Sequence, residues 1–181
     1  MTTTATTEAA LTPAILRDAL NEAYAGPAWH GPSVRAALRG VRADEALARP
    51  AGVHNSIWEL ALHLAYGRHL VIGRIAAAGG RGAADDLPAF PHRLRAPWWP
   101  VLPSETDERA WRATLALLDA SHRRLLDAVA GMTPAVLRTR RRGRRHTIAQ
   151  EVLGVALHDA YHAGQIRLVR VMAPRRQGLR H

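Results

Sequence analysis

Two four-residue signatures, Ser56-Ile57-Trp58-Glu59 and Thr147-Ile148-Ala149-Gln150, do most to restrict what this chain can fold into. In each, a hydroxyl oxygen can accept from the amide three residues on while a Glu or Gln side chain reaches back to the cap amide, so a helix begins there. The first run continues to about Ile75 or Ala78, before Gly79-Gly80, and the second to about Met172, before Pro174. Thr12 followed by Pro13 is a cap with proline at the first helical position, and predicts a helix through Leu16 and Leu20 to Gly26-Pro27. Another long helix is expected over roughly Ser104 to Ala130, where Trp111, Leu115, Leu118, Leu125, Leu126 and Val129 recur at three-and-four spacing up to Gly131. Four long helices predict an all-α four-helix bundle. Short helical pieces at Ser33 to Leu38 and Asp44 to Ala48 belong to the first connection. Residues 80 to 103, rich in Pro and carrying two Trp, read as a long ordered loop and not a regular element.

The 181 residues suit one domain, expected over 12–173, with a Thr-rich tail at 1–11 and a basic tail at 174–181. Apolar residues make up 48% of the chain but aromatics only 5%, so the apolar mass is mostly Ala, Leu and Val, a mixture that favours helices over sheets. No apolar stretch approaches a membrane span and no basic segment leads into an apolar run at the start, which points to a cytoplasmic protein without a membrane partner. The chain has no Cys. Disulfides, Cys-ligated metals and a thiol nucleophile of its own are thereby excluded, and thiol chemistry would need a thiol from outside.

In HDAYHAGQI, His158 and His162 are four residues apart and leave one helix face together, a spacing that can present two nitrogens to one metal. With ten His in the chain, such a pair is close to what chance supplies, and a plain hydrogen-bonded pair satisfies the same spacing. Glu151, Gly154, His158, Tyr161, His162 and Gln165 form a polar stripe that would be costly to bury without partners, whereas a metal or a water-filled cavity would satisfy it. In the second long helix, His63 lies at the edge of the apolar arc with Gly67 one turn on, leaving room beside the ring. A hydrogen-bonded core histidine is the alternative there.

GVHNSIWELALHLAYG and LGVALHDAYHAGQIRLVR, together with AWHGPS near residue 29, resemble the signature segments of the DinB/YfiT-like superfamily of four-helix-bundle metalloproteins. The resemblance runs from about residue 12 to 172. It implies a divalent ion, Zn, Ni, Mn or Fe, held by His63, His158 and His162, with catalytic residues left unassigned. It also implies that the second and fourth helices face each other, and in an up-down bundle these two run parallel. Three imidazoles leave coordination positions open, as in a reactive site. Members similar to this chain transfer a low-molecular-weight thiol, such as bacillithiol or mycothiol, to an electrophile, so the implied partners are a small thiol and an electrophilic substrate. Hydrolysis is the related reaction, and a homodimer is a further expectation from similar bundles.

Other residues carry smaller expectations. Asp159 and Gln165 are candidates to hold the second nitrogen of a ligand ring, or else face solvent. Glu59 reads as a cap, Trp58 and Tyr161 as packing residues, with the Tyr161 hydroxyl alternatively directed at a bound substrate, and His30 and His54 as exposed connection residues, the alternative being the cavity mouth. Six Arg (138, 140, 141, 142, 144 and 145) crowd the connection into the fourth long helix. They suit capture of an acidic thiol or phosphate-bearing substrate, nonspecific contact with nucleic-acid phosphates, or a simple solvated loop. The second of these defines a rival function: a noncatalytic, stress- or damage-associated module in which a metal only stiffens the bundle.

Overall fold

The computed structural model describes residues 11–79 and 86–173, so the two expected tails lie outside the described residues except for Leu11. Four long helices form the body: α1 (Pro13–Tyr24), α4 (Ile57–Ala77), α5 (Glu108–Ala130) and α7 (Ile148–Met172). Three short ones, α2 (Val34–Leu38), α3 (Ala43–Leu47) and α6 (Pro134–Arg138), lie in the connections. The caps act as the sequence predicts. Thr12 Oγ1 accepts from the Ile15 amide, and both capping boxes close, with Glu59 accepting from the Ser56 amide at 2.8 Å and Gln150 from the Thr147 amide at 2.9 Å. α5 starts four residues later than expected because Asp107, not Ser104, caps it by accepting from the Ala110 amide. α6 repeats the cap-plus-proline pattern of α1 with Thr133-Pro134, a signal that was present in the sequence and passed over.

α1 packs against α5 and α7, and α4 packs against the same two, so α1 and α4 stand diagonally across the bundle. The pairings across each interface fix the directions. His63, Arg68 and Arg74 of α4 meet His162, Asp159 and Glu151 of α7 in descending order, so these two helices run antiparallel. This corrects the parallel arrangement expected from an up-down bundle. Tyr24 and Asn21 of α1 meet Asp119 and His122 of α5, again antiparallel. α4 and α5 ascend together from the Trp58–Trp111 contact, and the order is therefore up-down-down-up. A crossover is needed to return the chain between two parallel neighbours, and the long connection from 78 to 107 supplies it.

That connection also departs from the irregular loop expected of it. Leu94–Ala96 (β1) and Trp99–Pro100 (β2) pair antiparallel, Ala96 opposite Trp99, around the turn residues Pro97 and Trp98. Pro97 suits the first corner, and Trp98 carries φ 73°, the left-handed value that the second corner of a type II turn requires. Among the described residues Trp98 is the one non-glycine with positive φ.

The core is two apolar clusters stacked along the bundle axis. One holds Trp58, Leu62, Trp111, Leu118 and Ile166, the other Leu16, Ile72, Leu125 and Val152. Between them, on every long helix, sits a buried residue with a polar group: Tyr24 on α1, Arg68 on α4, His122 on α5 and Asp159 on α7. Arg68 and Asp159 are fully buried and joined by a 2.7 Å ion pair, and the Arg68 guanidinium lies 4.7 Å from the Tyr24 ring centroid. Tyr24 stacks on His122 at 4.0 Å and donates to Asp119, which also accepts from Arg35 at 2.7 Å. Burial raises the Asp159 carboxyl to about 6 against the pull of Arg68. Removing one charge strands the other away from water, so Arg68→Leu is expected to cost about 3–5 kcal/mol. The double change Arg68→Leu with Asp159→Leu should recover most of that loss. Urea unfolding of both variants measures it, and equal losses in the two would contradict the assignment.

Candidate metal centre

The antiparallel pairing of α4 and α7 brings His63 level with His158 and His162. His63 Nε2 lies 3.0 Å from His158 Nε2, and His162 Nε2 lies 2.9 Å from the same atom. All three ligand atoms fall within 4.8 Å of one another. His63 and His162 are buried and His158 is half-buried. Gly67 faces the cluster: a Cβ there would stand 3.9 Å from His158 Cε1, an ordinary contact, and atoms beyond a Cβ would approach that ring.

The outer nitrogens decide what the inner ones can be. His63 Nδ1 is 2.7 Å from the Trp98 carbonyl oxygen, which can only accept, so Nδ1 carries the proton and Nε2 keeps its lone pair. His162 Nδ1 is 2.6 Å from Gln165 Oε1, while the Gln165 amide donates to the Tyr161 hydroxyl at 2.9 Å. That orientation again places the proton on Nδ1 and a lone pair on Nε2. Two bare nitrogens thus point at His158 Nε2, which brings at most one proton of its own. A shared cation satisfies all three, and the residues present fit a divalent metal by the chemistry of their donor set.

The ring positions are held from several sides. Trp99 stacks on His63 at 4.3 Å between centroids and 14° between planes, and with the Trp98 carbonyl it fixes that imidazole from the hairpin. Burial lowers the His158 pKa to about 3, with the neighbouring His162, His63 and Arg68 adding to the effect, and lowers His162 to about 4. His63 shifts the same way, again through burial. All three rings are therefore neutral, the form a metal requires, at any pH near neutrality.

Of the residues anticipated around the site, Gln165 holds His162 as one of its two readings proposed. Asp159 does not hold a ring; it is turned to Arg68 in the polar layer. Glu59 is the cap it was read as, Trp58 is fully buried, and His30 and His54 are exposed. Tyr161, expected to pack, is 63% exposed, and only its hydroxyl is engaged. Trp98 and Trp99 were missed as individuals, since Pro-Trp-Trp in a proline-rich stretch does not announce which helix it will clamp. A cavity of about 170 Å³ opens beside His63 and His158, lined by Trp98, Gly67, Val71, Gly154 and Glu151 among others.

The family model described as the DinB superfamily matches residues 28–166. The chain belongs to the DinB superfamily. No curated protein and no solved structure matches it. The matched span of this DinB protein includes all three histidines and both tryptophans of the hairpin. Among its described residues, no helix is long and apolar enough to cross a membrane.

Neutral rings with lowered pKa values set a pH dependence in the metal-free protein. Unfolded histidines protonate near 6.5, whereas His158 and His162 do so only at about 3 and about 4, so between those values the unfolded chain binds more protons. Stability is then complete above pH 6.5 and falls as the pH drops toward 4. Thermal unfolding from pH 7 to 4.5 should show that decline, and the variant His158→Ala, His162→Ala should show a shallower one.

Proposed function

We propose that this DinB-superfamily protein is a metal-dependent enzyme that transfers a low-molecular-weight thiol to an electrophile, or carries out a related hydrolysis, in a cytoplasmic setting. The observation that carries this reading is the convergence of three imidazole Nε2 atoms, two with their protons held elsewhere, beside a cavity that His63 and His158 line. A divalent ion there, Zn, Ni, Mn or Fe, supplies the Lewis acidity that lowers the pKa of a thiol or a water toward neutrality. His63, His158 and His162 would hold it. The Trp98 carbonyl and Gln165 keep two of the rings in the tautomer that offers Nε2, and Gly67 and Gly154 leave space for a substrate beside them. With no Cys in the chain, the nucleophilic sulfur arrives as substrate, which is what a transferase of this kind uses.

Metal analysis of the purified protein should find close to one equivalent of ion, lost in His158→Ala; a metal content unaffected by that change contradicts the ligand set. Metal-replete protein offered a panel of small thiols with a model electrophile should consume thiol, and His158→Ala should reduce the rate at least about a hundredfold. Activity on simple esters and amides alone would move the reading to hydrolysis. The rival binding module draws on the five arginines of the 138–145 run that are exposed. It requires duplex-DNA binding that weakens steeply with salt, and thiol turnover without such binding excludes it.

We also infer that two copies associate through the outer face of α7. The sequence offered no evident stripe for this, yet Leu157, Tyr161, Leu168 and Val171 are 65%, 63%, 58% and 75% exposed and fall on one line of the helix, with Gly164 between them. A second copy covers such a line by two-fold pairing, and Gly164 admits close approach. Sedimentation should give a dimer for the wild type and a monomer for Leu168→Asp.

A further inference from the structure

The carboxylate that caps α4 has a second use. Glu59 Oε2 accepts from the Ser56 amide, while Oε1 accepts from Arg49 at 2.7 Å and lies 3.3 Å from Nη2 of Arg95, a residue of β1. The same Arg95 nitrogen donates to Asn55 Oδ1 at 2.9 Å. Asn55 precedes the Ser56 cap and Glu59 stands three residues after it, so Arg95 is bound to the very start of α4. Glu59 is only 3% exposed, and guanidinium groups from two different connections meet it there. His63 is one turn further along the same face of the helix.

The ladder of the hairpin aims the Arg95 side chain. Leu94 is opposite Pro100 and Ala96 opposite Trp99, which leaves Arg95 as an extra residue with no partner across the pair. Such a bulge bends a strand and redirects the side chain it carries. β1 itself buries little, since Leu94 and Arg95 are exposed and Ala96 is half-buried, and a two-stranded hairpin is marginal by itself. Arg95 gives this strand a polar attachment to the bundle. Its guanidinium also lies 5.5 Å from the Trp99 ring centroid, within cation–π range, and Trp99 is the ring stacked on His63.

We infer that Arg95 is a positioning residue for the His63 imidazole. Bound to Asn55 and Glu59, it holds the hairpin against α4 so that Trp99 stays on the ring face, the Trp98 carbonyl stays on Nδ1, and the Nε2 lone pair keeps its direction. The inference rests on the proposed metal only for what the oriented nitrogen then binds; the orientation belongs to the metal-free chain. Arg49 separates this role from plain neutralisation of Glu59. It meets the same carboxylate oxygen, and among the described residues it has no hydrogen bond or ion pair to the hairpin.

The test compares Arg95→Gln with Arg49→Gln. Both arginines are exposed, and in either variant Glu59 keeps the other guanidinium, so neither change strands a buried charge. Nitrogen-15 NMR of the metal-free protein reads the His63 Nδ1–H, assigned by its absence in His63→Ala, through its exchange with water. Exchange should quicken at least about tenfold in Arg95→Gln and stay within about twofold of wild type in Arg49→Gln. Zinc affinity, read by competition with a chromogenic chelator, should fall about ten- to a hundredfold in Arg95→Gln, the usual range for groups that orient a ligand ring, and stay within about twofold in Arg49→Gln. Arg95→Gln with His63 exchange unchanged, or with zinc held as tightly as by a wild type that binds it, overturns the inference. Equal changes in the two variants overturn it too, because the effect then traces to the charge of Glu59. Faster His63 exchange in Arg95→Gln, together with a wild type that binds no zinc, supports the inference and defeats the metal reading.

Discussion

The buried Arg68–Asp159 pair is the interaction on which the arrangement of this bundle depends. Apolar surfaces are tolerant of register, since one Leu meets another at many offsets, but a guanidinium and a carboxylate with no water around them are satisfied at one offset only. Sliding α4 against α7 by one turn would bury two unpaired charges. The polar layer extends the constraint to the other two helices through the Tyr24 ring beneath Arg68 and the His122 stacked on it. Burial lowers the His122 pKa to about 3, helped by Arg68 and Arg123, so the layer holds a neutral imidazole next to its single cation at neutral pH. Because His158 immediately precedes Asp159, the pair that fixes the register also fixes how far His158 stands from His63.

Register alone leaves an imidazole free to rotate, and the hairpin removes that freedom for His63. Its two tryptophans divide the work: Trp99 stacks on the ring face while Trp98 offers a backbone carbonyl to Nδ1. The carbonyl is available because Pro97 and the left-handed Trp98 turn the chain there, and an unstrained corner would aim it elsewhere. The long crossover that the up-down-down-up order demands is therefore also what supplies the site with its clamp. His162 is oriented from its own helix by Gln165, three residues on, a pairing that needs no tertiary contact.

The difference between those two devices is also the difference between what the sequence revealed and what it hid. Ser56, Glu59, Thr147, Gln150 and Gln165 act within one turn of helix, and their roles could be read from spacing. His63, His158 and His162 were singled out in the same way, two by an interval of four and one by its place at the edge of an apolar arc. What depended on the path of the chain between elements was not legible. A connection from 78 to 107 is long enough to join neighbours in either direction, so α4 and α7 were expected to run parallel when they run antiparallel. Asp159 lies on the histidine side of its helix by sequence yet is claimed by Arg68 across the interface. Arg141 is one of six similar residues until the fold turns it alone toward Glu151.

α7 shows why period analysis said least about the helix that carries most. Val152, Ile166 and Val169 face the core, Glu151, Gly154 and His158 face the cavity, and Leu157, Leu168 and Val171 face outward, so apolar residues occur nearly all round and no single stripe dominates. A helix that is apolar on opposite sides is expected where both sides are to be covered. Tyr161 belongs to the outward line, but its hydroxyl accepts from Gln165, whose oxygen holds His162. The outer surface and the histidine cluster are thus joined by a continuous chain of hydrogen bonds, from the Tyr161 hydroxyl through Gln165 to the Nδ1 of His162, the group that keeps the His162 Nε2 lone pair turned inward.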